Sequence, residues 1–138
     1  MNENTMRCPL KDCASADWYN AYDDERCPQG SWVESVIISK SSDGEWQERQ
    51  RLVITVSLVS ALGTGKIRLI YKSAGSYAIE GFGYDARSPG LGVWLEDEVG
   101  ATRDSFLSHK ARLTNGNISV KAADAEYQWE PLKPVISS

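Results

Sequence analysis

The chain has 138 residues, 41% hydrophobic and 25% charged, with a formal net charge of −4. That suffices for one hydrophobic core and not two, is too apolar for disorder by default, and lacks the basic surplus of a general nucleic-acid binder. No apolar run reaches the roughly 18 residues of a membrane-spanning helix, so neither nucleic acid nor membrane is an expected partner, although 15 Lys and Arg leave room for a local basic face.

Residues 1–29 form a distinct first regime. Met1-Asn2-Glu3-Asn4-Thr5 shows no basic start leading into an apolar stretch, so no secretory signal is visible and a cytoplasmic location is expected. Cys8, Cys13 and Cys27 all fall here. An odd number makes a poor disulfide framework, and a reducing compartment would leave three thiols; export would instead give one local bridge and one thiol left over. Three cysteines with His109 or Asp12 could hold zinc, but their spacing fits structural sites poorly, and idle thiols are the simpler reading. Ser15 could cap a short helix that Cys27-Pro28 would soon stop. The segment therefore reads as an irregular arm with about two helical turns. Trp18 and Tyr22, four apart, would share a face against the rest of the protein.

From Gly30 the period changes to two, and residues 30–138 read as a single domain. Trp32–Lys40 is rich in Val and Ile. Leu52, Ile54, Val56 and Leu58 then alternate with polar or smaller residues, the strongest strand signal in the chain. After Gly63-Thr64-Gly65, the residues Ile67, Leu69 and Tyr71 take one face while Lys66, Arg68 and Lys72 take the other. Further runs cover 77–84, 91–96, 102–113, 118–122 and 126–130. Asp43-Gly44, Ala74-Gly75, Ser88-Pro89-Gly90 and Asn115-Gly116 supply the turns between them. About eight closely spaced strands without crossover helices predict an all-β fold: an antiparallel up-and-down β-barrel, or alternatively a β-sandwich.

Gly30-Ser31-Trp32 stands at the mouth of the first long strand. In layout over residues 28–131, and in this Gly-x-Trp, the chain resembles the lipocalin-like (calycin) barrels. The resemblance implies a Trp plugging one barrel end, with Arg103 or Arg112 packed on it. The mid-barrel turn of that family has only a loose echo here, in Gly83-Tyr84-Asp85.

Other candidate motifs reduce to simpler readings. Gly63-Thr64-Gly65-Lys66 resembles the tail of a phosphate-binding loop, but lacks its first Gly at Ser60 and its hydroxyl at Ile67, and reads as a hairpin turn. No cofactor is implied. His109, the only histidine, lies in polar Ser108-His109-Lys110 and reads as exposed. Glu96-Asp97-Glu98 reads as a solvated acidic turn, and Asn117-Ile118-Ser119 as a sequon without consequence in the cytoplasm.

Five Trp and six Tyr against two Phe favour rings with a polar end, as found at ligand cavities and interfaces. Strand glycines at 81, 83 and 92 suggest sharp curvature beside such rings. Three functions follow as expectations. The first is a small, largely apolar ligand held in a barrel cavity lined by Tyr71, Tyr77, Tyr84, Trp94 and Trp129. The second is a cofactor-independent isomerase or cyclase acting through Tyr77, Asp85 and Arg103. The third is an inhibitor or immunity-type module that binds a protein partner and has no small-molecule site.

Overall fold

Alternating apolar side chains can satisfy backbone hydrogen bonds and bury one face only by pairing as strands. A computed structural model describes residues 5–42, 50–81 and 90–132 of the chain and shows that outcome. Its strands are β1 (Met6–Pro9), β2 (Trp32–Ser42), β3 (Gln50–Val59), β4 (Gly65–Gly81), β5 (Trp94–Ala101), β6 (Leu107–Leu113) and β7 (Gly116–Pro131). All belong to one antiparallel sheet in the order β2-β3-β4-β7-β6-β5, with β1 added beside β7. The expected all-β antiparallel class is correct, and the helical turns, α1 (Leu10–Cys13) and a 3-10 turn over Asp17–Asn20, precede Gly30.

The strand order is not sequential throughout. Two three-stranded meanders, β2-β3-β4 and β5-β6-β7, join through a long ladder from Gly65↔Pro131 to Gly81↔Gly116. Ala74-Gly75, expected as a turn, is instead a bulge in β4, where the register shifts between Ala74 and Ser76. At the same level β7 changes its inward parity: Ala122 and Ala125 are buried while Ala123 and Asp124 are exposed. A bulge lets one strand bend and reset its faces without ending. Two pairs of expected runs therefore fuse into β4 and β7.

The outer strands of the sheet, β2 and β5, meet at one corner. Gly30 N–H donates to Trp94 O (2.8 Å), Trp94 N–H to Ser31 O (2.7 Å) and Val33 N–H to Gly92 O (2.9 Å). One bridge, Trp32↔Val93, lies between them. No strand ladder extends this closure among the described residues, so the sheet curls without being sealed by hydrogen bonds. Trp32 is exposed there instead of plugging an interior, and Arg112 pairs with Glu96 at 3.0 Å instead of covering a tryptophan.

The core lies on the inner face: Ile54, Val56 and Leu58 of β3, Ile67, Leu69 and Tyr71 of β4, and Ile118, Val120, Tyr127 and Trp129 of β7. The arm contributes Leu10, Cys13 and Tyr19 to the same cluster. A strand in the arm was not expected; β1 extends the flank of β7 beyond β6, in the register Met6↔Trp129 to Pro9↔Glu126. Cys8 and Cys13 are joined in a disulfide, and Cys27 is free and buried, donating to the carbonyl of Tyr19 at 2.9 Å. The cysteines thus do not converge as metal ligands, nor are all three thiols. Trp18 packs against the core, whereas Tyr22 is exposed, because the helical turn ends at Asn20 before Tyr22 can share its face.

Trp129 lies across Gly65, where a Cβ would overlap the indole ring. A ring laid over a strand glycine recovers the packing that the glycine lacks. Gly65→Ala should therefore destabilise the protein by about 1–3 kcal/mol, the usual range for overpacking a full core, measured as a lowered urea midpoint at unchanged slope.

Candidate functional site

Strand parity places one titratable side chain from each of β5 and β6 inside. On β6, His109 has the parity of buried Ala111 and Leu113; on β5, Asp97 pairs across from Ala111 and Val99 from His109. Tyr71 closes the inward series of β4, and Tyr19 enters from the 3-10 turn of the arm.

These four side chains form a continuous hydrogen-bonded chain. Tyr71 Oη lies 2.6 Å from His109 Nδ1, and His109 Nε2 lies 2.6 Å from Asp97 Oδ2. The Tyr19 hydroxyl donates to the same Oδ2 at 2.6 Å. Trp94 flanks the imidazole, with ring centroids 5.6 Å apart, and Tyr71 does so at 5.8 Å.

The electrostatics fix the roles. Burial pushes the Asp97 carboxyl up, but His109, Tyr19 and the nearby Trp94 indole outweigh it and hold the group below its ordinary value. The buried Trp94 N–H meets no acceptor in hydrogen-bonding geometry. Burial and the Asp97 charge raise Tyr71 and Tyr19 well above the usual tyrosine range, so both phenols keep their protons. A carboxylate can only accept, so His109 donates from Nε2, while Nδ1 shares the second hydrogen bond with the Tyr71 hydroxyl. The chain Tyr71–His109–Asp97–Tyr19 is thus continuous, with two of its bonds converging on Asp97 Oδ2.

Asp97 also lines a cleft of about 540 Å³ between the arm and the inner face of β5–β7. Lys11, Ser15 and Asn20 stand on its arm side, and Val99, Phe106 and Leu107 give it an apolar wall. Asp124 lies on its rim from the parity break of β7. A second hollow of about 620 Å³ runs over the outer face of β5–β7, lined by Glu96, Glu98, Lys110 and Arg112. Its charges face solvent, and Arg112 pairs with Glu96 there at 3.0 Å.

The residues expected from the sequence distribute differently. Tyr71 and Trp94 do come together, but around His109; Trp129 packs at the Gly65 end of the sheet. All three are 0–2% exposed, so no water-sized space adjoins them and their rings fill the interior. Tyr77 shares the inner face, opposite Val120, yet is 46% exposed because the far half of β4 is poorly covered. Arg103 sits exposed in the turn between β5 and β6, on neither cleft, and shares no contact with Tyr77 among the described residues. Tyr84 and Asp85 lie outside the described residues. Among the described residues no cluster of three His, Cys, Asp or Glu side chains is arranged to hold a metal.

His109 is 1% exposed, so the expectation of a surface histidine is wrong. Period two over Leu107, His109, Ala111 and Leu113 carries the missed signal, as does the pairing of Asp97 with Val99 two residues on. Polar neighbours at 108 and 110 masked it because they occupy the opposite face.

Two outcomes follow. Tyr71→Phe should cost about 1–3 kcal/mol by leaving buried Nδ1 without its partner, read from urea unfolding. Asp97, with its folded pKa depressed, stabilises the fold fully above the unfolded value of about 3.9 and loses that contribution as pH falls through the folded value. The stability gap between the native protein and Asp97→Asn should accordingly be large at neutral pH and narrow as the pH falls below the ordinary carboxylate range. Comparison of the chain with protein-family models, with curated proteins and with solved structures finds no match.

Proposed function

We propose that the protein binds a small molecule in the cleft between the arm and β5–β7. The ligand class is a compact amphiphile: an apolar body against Val99, Phe106 and Leu107, and an ammonium or similar donor directed to Asp97 and Asp124. One observation carries this reading. A carboxylate that accepts two 2.6 Å hydrogen bonds lines a cleft beside the apolar side chains of Val99, Phe106 and Leu107. A volume of about 540 Å³ falls within the range of small-molecule sites. The expected apolar-ligand function is thus relocated from a barrel interior lined by Tyr71, Trp94 and Trp129 to the open end of the sheet. For an isomerase or cyclase acting through Tyr77, Asp85 and Arg103, no contact between Tyr77 and Arg103 lends support among the described residues, and Asp85 lies outside them.

The Cys8–Cys13 bridge forms one end of the arm that walls this cleft. Such bridges persist where the surroundings are oxidising, which supports that kind of compartment over the cytoplasm.

n-Hexylammonium, n-hexanol and n-hexanoate serve as probes in NMR titration of the labelled protein. Saturable shifts at Asn20, Val99 and Phe106 are expected in the order ammonium, alcohol, carboxylate. Ala101→Trp, at an exposed cleft position, should abolish them without unfolding the protein. Equal response to hexanoate, or shifts unaffected by Ala101→Trp, would defeat the reading.

A further inference from the structure

A disulfide is opened by a thiolate that reaches one of its two sulfurs, so access to each half decides how it breaks. Cys8 and Cys13, five residues apart, join β1 to the end of α1. Cys13 is 2% exposed within the core. Cys8 is half-buried on β1, whose far side carries no strand among the described residues. It also borders a hollow of about 320 Å³ shared with Arg7, Lys72, Asp124 and Glu126, which leaves space for a small thiol on that side of the bridge. Cys27 does not compete from within. It is buried, burial pushes its thiol up, and it donates to the Tyr19 carbonyl at 2.9 Å.

What the bridge holds is the part of the arm least able to hold itself. α1 is a single turn of four residues without a side-chain cap, too short to persist on its own backbone bonds. Yet Lys11, Ala14 and Ser15, in and just after that turn, wall the cleft. The rest of the arm has separate fastenings. Tyr19 is bonded to Asp97, the Trp18 ring lies 5.1 Å from that of Tyr127, and the Tyr127 hydroxyl donates to the Arg26 carbonyl.

We propose that Cys8–Cys13 is a clasp opened by small thiols, which sets the arm wall of the cleft and, on the binding function proposed above, the retention of its ligand. The thiolate of a small thiol attacks Cys8 Sγ and forms a mixed disulfide there. The Cys8–Cys13 bond breaks, and Cys13 leaves as a thiolate that takes a proton from water. A second thiolate then attacks the small thiol's sulfur in the mixed disulfide. It forms the disulfide of the small thiol and releases Cys8, which is protonated in turn. Two external thiols are oxidised and the bridge gains two electrons and two protons. The turn at 10–15 then loosens while Tyr19 stays on Asp97. Under oxidising conditions the clasp remains shut, and it opens where free thiols are abundant.

The folded full chain is treated with reduced glutathione, quenched by alkylation and mapped by mass spectrometry. A transient glutathione adduct is expected on Cys8, with none on Cys13 or Cys27. In the reduced protein, amide exchange at residues 10–15 should quicken while β4 and β7 stay protected. Affinity for n-hexylammonium should fall by about tenfold, because the wall has to be ordered again on binding. Joint replacement Cys8→Ser and Cys13→Ser should reproduce the faster exchange and the weaker binding without reductant. Adduct and exchange are read without ligand, so a clasp that stays shut is told apart from a cleft that binds nothing. A bridge reduced only after unfolding in urea, an adduct on Cys13 or Cys27, or unchanged exchange at 10–15 in the reduced protein would each overturn the proposal.

Discussion

A buried carboxylate has to be satisfied from several directions at once, and in this protein that requirement ties the two regimes of the chain together. Asp97 is held by His109 from the neighbouring strand and by Tyr19 from the arm, and through His109 it reaches Tyr71 across the interior. Removing any one group strands another in a low-dielectric setting, where an unpaired polar group costs more than a made bond gains. The arm is therefore not an appendage lying on a finished sheet. Its Tyr19 hydroxyl is part of what allows a charge to sit inside.

The sheet is shaped by the two strands that do not stop where their composition changes. β4 and β7 run side by side through the bulge at Ala74–Ser76 and the parity break at Ala123-Asp124. Before that level the inner face is dense with Ile67, Leu69, Tyr127 and Trp129; beyond it Tyr77 and Ile79 are only partly covered. The parity break also turns Asp124 out to the cleft rim. One local irregularity thus decides how far the inner face of β4 is covered and where the cleft opens.

Much of the fold was readable from the residues. The alternations at 52–58 and 66–71 became β3 and the start of β4, and the Asn115-Gly116 signal became the tight connection between Leu113 and Gly116. Ala74-Gly75 misled because a glycine that permits a turn equally permits a bulge, and only the partner strand decides. The site was less readable still. His109 and Asp97 lie twelve residues apart on adjacent strands and were each judged by polar neighbours that face the other way. Tyr19 joins them from 78 residues before Asp97, a distance over which no local pattern operates. The aromatic bias did mark Tyr71 and Trp94, though as cavity lining and not as the walls of a polar chain.

The pairing of β1 with β7 has a temporal side. Met6 faces Trp129, and the Tyr127 hydroxyl bonds the carbonyl of Arg26, 101 residues earlier in the chain. During synthesis the arm therefore has no strand to join until nearly the whole domain has emerged, while the β2-β3-β4 meander can form from neighbouring segments alone. Contacts between distant segments are the slow ones to form. The wall of the cleft is accordingly put up after its floor, and the finished cleft is among the last features the nascent molecule acquires.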